Sequence, residues 1–201
     1  MTVFPHITRL GLPGIDQVPI GIHACHFYST RDQLVAALVP YALAGLRAHE
    51  RCLFIAAPPL PAREALEALR ATSGDIDDAV QTGALRIVDF DQWYENSAGS
   101  KGLDVVELWL KEEERALADG YTGLRITGNT SFLKPGDWPV FIEYEEALTA
   151  RLAGRRIVTL CSYARSQCDD EAMKNVMYAH HCAIHRPDAR WQVLPVRSFP
   201  G

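Results

Sequence analysis

The chain has no apolar run that approaches a membrane span, and its first residues lack the basic-then-apolar pattern of a secretion signal. A cytoplasmic location without membrane contact is the expectation. It also lacks a basic patch. The net charge is −5 and the 20 Lys and Arg are scattered, so no footprint for direct nucleic-acid binding appears. There is no CxxC pair, and the five cysteines (Cys25, Cys52, Cys161, Cys168 and Cys182) are odd in number. Thiols in apolar, strand-like runs, as at Cys25, Cys52 and Cys161, are expected to be reduced core residues. One further absence bears on function. The segment "GIHACHFYSTRDQL", residues 21–34, runs from a strand into a helix. Nucleotide-binding α/β proteins often place a glycine-rich loop at that junction, but here it holds Tyr28, Ser29, Thr30 and Arg31. Without glycines to aim backbone N–H groups at a phosphate, and without a lysine, no phosphate cradle is expected. The strand "LRITGN" also lacks a carboxylate to hold magnesium, which argues further against ATP hydrolysis.

What is present suits one sizeable domain: 201 residues, of which 48% are hydrophobic. Residues 1–20 form an irregular arm with a turn at "GLPG". "GIHACHFY" predicts a strand, and Thr30 with Gln33 a capping box that starts a helix with Leu34, Leu38, Tyr41 and Gly45 on one face. Pro40 is expected to bend that helix. "RCLFIAAP", "ALRIVDF", "GLRITGN" and "RRIVTLCSY" predict four more strands. Helices are expected at "PAREALEALRAT", over 103–118, after Asp137 and after Asp169 or Asp170. The tail "CAIHRPDARWQVLP" predicts a β-hairpin turning at Pro187 to Ala189. Alternating strands and helices imply an α/β fold, a mostly parallel sheet with helices on both faces. Residues 21–195 are expected to form the single domain. Residues 196–201 look like a tail or the start of a linker to a further piece.

Open α/β sheets bind ligands beyond the carboxyl ends of their strands. Those ends supply Tyr28 and Ser29, then Asp89, Asp91, Trp93 and Tyr94, then Thr127, Asn129, Thr130 and Ser131, then Ser162, Tyr163 and Arg165. Three chemistries compete. The groups could orient a small molecule in a pocket. A metal or haem could be held by His23, Cys25, Cys161 and His181, although no helical HxxxH or zinc-finger spacing occurs. Strand alternation puts His23 and Cys25 on one face and His26 on the other. Alternatively, Cys161 with His23 or His181 could be a thiol nucleophile and its base. Glu143, Glu145 and Glu146 lie on one helix, where a solvated surface is the ordinary expectation, but Glu145 is one position from the apolar face and could reach the sheet end. The residues name no cofactor.

"GIHACHFY", "ALVPYALAGLRAHERCLFI", "GYTGLRITGN", "YEEAL", "LCSY" and "HHCAI", in this order, resemble the MEDS domain, a methanogen/methylotroph DcmR-type sensory domain, over roughly residues 12–195. That family is similar to the RecA/KaiC-type ATPase fold with its phosphate loop lost, and "GLPGID" resembles the segment preceding that loop in KaiC-like proteins. The resemblance implies a non-catalytic signal-input domain that perceives a small organic ligand. It implies output through a histidine kinase, an anti-sigma-type kinase or a DNA-binding transcription regulator, and it is compatible with a homodimer. Carried over by position, His23, Tyr28, Asn129, Cys161, Tyr163 and His181 match the family pattern. With Ser29 and Thr127 from the strand ends, they form the expected ligand-binding set. Binding is expected to shift either the loop "ENSAGSKG" or the segment after Asn129.

Overall fold

The structure, a computed structural model, describes residues 7–15, 17–95 and 103–198. The loop "ENSAGSKG" falls almost wholly outside them. Two short strands, β1 (Ile7–Thr8) and β2 (Val18–Pro19), form an antiparallel ladder, so the arm read as irregular carries a small sheet of its own. Seven strands make the main sheet: β3 (His23–Tyr28), β4 (Arg51–Ala56), β5 (Leu85–Asp89), β6 (Leu124–Asn129), β7 (Ile157–Ala164), β8 (Cys182–His185) and β9 (Gln192–Pro195). Their order is β5-β4-β6-β7-β3-β8-β9. Every pairing is parallel except β8 with β9, the predicted hairpin.

The strand sequences explain their place. β4, β6 and β7 are buried on both faces, and mostly apolar, because helices cover both. α1 (Arg31–Arg47), α2 (Ala62–Arg70) and α3 (Ile76–Gln81) pack with the arm on one face, around Leu34, Leu38, Phe54 and Leu160. α5 (Leu103–Ala118), α6 (Trp138–Arg151) and α7 (Asp170–Ala179) cover the other, around Trp109, Ile126, Leu148 and Tyr163. A short α4 (Phe90–Glu95) follows β5 directly. Among the described residues no helix is long and apolar enough to cross a membrane.

Cap chemistry decides several boundaries. Thr30 accepts from Gln33 N, and Gln33 reaches back to accept from Ser29 N, which fixes the start of α1. Asp169 caps α7 by accepting from Ala172 N. Asp137 does not cap α6; its carboxylate accepts from Lys134 N in the 3-10 turn ahead of the helix. α1 runs unbroken through Pro40.

One buried ion pair ties the arm to the sheet. Arg125 of β6 lies under α1 and bonds Glu50 through Nε at 2.6 Å. Its Nη2 donates to Arg9 O at 2.9 Å, and Thr8 Oγ1 donates to Glu50 Oε1 at 2.6 Å. Gly45 makes room: a Cβ there would stand 2.5 Å from Arg125 Nε and 2.7 Å from Cys52 Sγ. On the same face His26 is buried against Trp191, with ring centroids 5.5 Å apart, and burial lowers its pKa to about 4.

Two outcomes follow. Glu50→Ala leaves a buried guanidinium without its counter-charge and is expected to destabilise the fold by about 3–5 kcal/mol, read by urea unfolding. A loss below about 1 kcal/mol would show the pair to be solvated. His26 binds its proton more readily unfolded, so its contribution is complete above pH ~6.5 and is lost as pH falls towards 4. The expected loss over that window is up to roughly 3 kcal/mol. His26→Phe should flatten that part of the stability–pH curve, and an unchanged slope would refute the assignment.

Candidate functional site

Two arrangements stand out, one at the β3–α1 junction on the carboxyl edge of the sheet and one in the core, where β3 begins. At the junction, Tyr28 is buried and donates to Asn129 Oδ1 at 2.8 Å. Asn129 Nδ2 donates to Ala57 O and Pro58 O, at 3.0 and 2.8 Å, and Asn129 Oδ1 also accepts from Ser131 N. Tyr28 and Asn129 therefore lock the ends of β3, β4 and β6 to one another. Thr127 is buried within the sheet and donates to Leu160 O at 3.0 Å. Ser29 is exposed, and its N–H is taken up by the Gln33 side chain at 2.7 Å. Asp89 accepts from Ala62 N at 2.8 Å, so this strand-end carboxylate holds the start of α2.

On the α6/α7 face, away from that junction and starting at the first residue of β3, His23, Glu145, Cys161, Tyr163 and His180 meet in the core, none more than 4% exposed. The β3–β7 register sets His23 opposite Thr159, and Cys161, two residues along β7, projects from the same face. His23 Nε2 is 3.3 Å from Cys161 Sγ and 3.1 Å from Glu145 Oε2. Its Nδ1 is 2.7 Å from Thr149 Oγ1, which donates to Ala179 O. The His180 ring lies 3.9 Å from the His23 ring, centroid to centroid. His180 Nε2 is 3.5 Å from Glu145 Oε2, and its Nδ1 is 2.7 Å from Val176 O. Tyr163 donates to Glu145 Oε1 at 2.9 Å.

Burial sets the electrostatics by opposing charge. It holds His23 well below its ordinary range, helped by His181, and lowers His180 to about 3, helped by His23. Burial raises Glu145 against the opposing pull of His180 and the Tyr163 hydroxyl. It pushes the Cys161 thiol well up, with Glu145 adding to the effect.

The expected site residues thus divide. His23, Cys161 and Tyr163 share the buried cluster, Tyr28, Ser29 and Asn129 share the junction, and Thr127 belongs to neither. His181 uses Nδ1 to accept from His23 N at 3.0 Å, a backbone clamp between β3 and the start of β8. The set His23, Cys25, Cys161 and His181 does not assemble. The four side chains whose ligand atoms gather are His23, Glu145, Cys161 and His180. Glu145, expected at a solvated surface, is 1% exposed. The only sequence signal for it was its place one position from the apolar stripe of α6. His180 stood in the sequence within the histidine- and cysteine-rich run "HHCAIH" and on the apolar side of the helix after Asp169, with no signal that set it above His181.

A cleft of about 690 Å³ opens at the carboxyl ends of β3 and β8. Its lining includes His26, Ser29, Arg165, Met173, Met177 and Trp191. A larger hollow, about 1050 Å³, lies under the arm by the last turn of α1, away from these groups.

Comparison with solved structures finds likeness to a KaiC-like protein from the hyperthermophilic archaeon Pyrococcus horikoshii OT3. The TM-score is 0.58 at 14% identity, covering 98% of this chain and 91% of that one. At that identity the likeness establishes the fold, a mostly parallel sheet of KaiC type closed by the β8–β9 hairpin. No curated protein matches the chain. The family model described as MEDS, MEthanogen/methylotroph, DcmR Sensory domain, matches residues 22–181, so the chain belongs to the MEDS family of sensory domains.

Proposed function

We propose that this chain is a non-catalytic signal-input domain that takes a small organic molecule in the cleft beside the β3–α1 junction. The observation that carries the reading is that the junction satisfies itself. Ser29 N, a donor placed where a phosphate loop would offer its N–H groups, is capped by Gln33. Thr30 Oγ1 accepts from Gln33 N, Tyr28 is tied to Asn129, and Arg31 is paired with Glu64 at 2.8 Å. An incoming phosphate would have to break these contacts. The neighbouring cleft offers Met173, Met177 and Trp191 as apolar wall, Arg165 at the rim, and His26 Nδ1, which has no hydrogen-bond partner among the described residues. Its volume falls in the usual range for small-molecule sites, and its lining suits an apolar body with one polar end.

Arg165 begins a 3-10 turn that ends at Gln167, whose side chain donates to Ser131 O at 2.8 Å. A ligand bound at Arg165 would thereby bias the segment after Asn129, provided it binds one arrangement of that segment better than the other. A kinase or DNA-binding partner would read the difference. A thiol enzyme is the weaker reading. Cys161 and His23 are within reach of one another, but burial holds the thiol protonated and the pair lies sealed in the core.

Thermal-shift measurement against small organic molecules and against ATP with magnesium tests this reading. A cleft ligand at a hundredfold excess over its Kd should stabilise by about 2.7 kcal/mol, roughly 5–10 °C for a chain of this size. Met173→Trp, which fills the cleft, should abolish the shift. A shift produced by magnesium-ATP alone would overturn the proposal, as would an organic ligand whose shift Met173→Trp leaves intact.

A further inference from the structure

The buried cluster carries an inference that does not depend on the cleft. Its hydrogen bonds fix both histidine tautomers. Thr149 Oγ1 gives its own proton to Ala179 O, so it accepts from His23, which therefore carries hydrogen on Nδ1. His180 donates from Nδ1 to the Val176 carbonyl. Both Nε2 lone pairs are thereby turned inward, and backbone and hydroxyl groups hold the outer nitrogens, as partners behind metal-ligating histidines do. Cys161 Sγ and Glu145 Oε2 face the same point. Glu145 Oε1 is held by Tyr163, while Oε2, fully buried, receives no hydrogen bond among the described residues.

We propose that His23, Glu145, Cys161 and His180 form a tetrahedral site for a divalent late first-row transition metal, with zinc as the expected occupant. All four ligand atoms lie within 4.8 Å of one another. Three of the separations are 3.1, 3.3 and 3.5 Å. Zinc bonded to nitrogen and oxygen at ~2.0 Å and to sulfur at ~2.3 Å needs edges of about 3.3–3.5 Å, so little movement completes the site. Two imidazoles, one thiolate and one carboxylate form a borderline-soft set suited to such an ion and ill suited to magnesium or calcium.

The charge balance also fits. Two neutral imidazoles, two anions and one divalent cation sum to zero, the condition a dry core imposes. On binding, the thiol proton of Cys161 and the carboxyl proton that burial favours on Glu145 leave to solvent, and nothing is oxidised or reduced. Four protein ligands leave no open position, which marks a structural or sensing site rather than a hydrolytic one. The ligands come from β3, α6, β7 and the C-cap of α7. The ion would pin α7 to the sheet, and α7 carries Met173 and Met177 into the cleft wall.

The test uses the full chain. Protein expressed with zinc and passed through gel filtration should retain about one zinc per chain by elemental analysis. After chelation and reloading with cobalt(II), it should show the intense visible bands of a tetrahedral ion and a near-ultraviolet thiolate-to-metal band. Cys161→Ser should lose the thiolate band, Glu145→Gln should weaken binding at least tenfold, and Cys25→Ala should change neither. A wild-type chain that retains no zinc and gives only the faint spectrum of octahedral cobalt would overturn the proposal. So would a thiolate band lost in Cys25→Ala. If Cys161→Ser does not fold, the wild-type stoichiometry and spectrum decide alone.

Discussion

The parallel ladder between β3 and β7 is the constraint on which both sites depend. Its register pairs His23 with Thr159 at one end and Tyr28 with Ala164 at the other. Alternation along six residues then does two jobs. One parity, His23, Cys25 and Phe27, faces α6 and α7. The other, Ala24, His26 and Tyr28, faces α1 and the hairpin. A slip of one residue would send His23 to the α1 face and His26 into the α6 layer, so cluster and cleft would be lost together. The strand is central, between β7 and β8, and its ladder bonds on both sides hold that register.

Burial explains the form of the cluster. A core this dry rejects net charge, so each titratable group in it moves towards its neutral state unless something compensates. The ion pair on the opposite face shows the alternative: Arg125 and Glu50 stay paired at 2.6 Å, with arm carbonyls around the guanidinium. The His23 cluster has no such cation of its own among the described residues. Its two inward lone pairs meet only the Cys161 thiol, the Tyr163 hydroxyl and the Glu145 carboxyl, so the protons of these groups, or a cation in their place, must fill the space between them.

Much of the fold was legible because it rests on local rules. Strand alternation, the capping box at Thr30 and the β8–β9 hairpin follow from neighbours in sequence, and the sheet type follows from the order of elements. What could not be read depends on tertiary distance. Glu145 sits on a helix whose exposed face carries Glu143 and Glu146, and its place one position from the apolar stripe could not show that a tyrosine of β7 holds its carboxylate in the core. Arg125, inside an apolar strand, gave no sign of Glu50, 75 residues earlier. Asp89 stood at a strand end like a ligand, yet its partner is the first turn of a helix that precedes it by 27 residues. The histidine pair "HH" illustrates the limit well. His181 was the better candidate by family pattern, but a change from helix to strand falls between the two, and it is His180, the helix cap, that turns into the core.

The junction shows a scaffold of KaiC type whose strand-to-helix turn is closed on itself. A phosphate loop must leave several backbone donors unsatisfied until the anion arrives, which requires glycine and costs stability. Here the donors are closed by Gln33, and the strand end is closed by the Tyr28–Asn129 bond. Both closures are local, and neither disturbs the sheet beneath. Once closed, the junction becomes a rigid wall instead of a grip. A receptor reports occupancy only where a wall of its site has two arrangements that the ligand distinguishes. In this chain α7 is held at one end by the Asp169 cap and at the other by His180, and it carries Met173 and Met177 into the cleft wall. His180 thus joins the wall of the cleft to the buried cluster through a single helix.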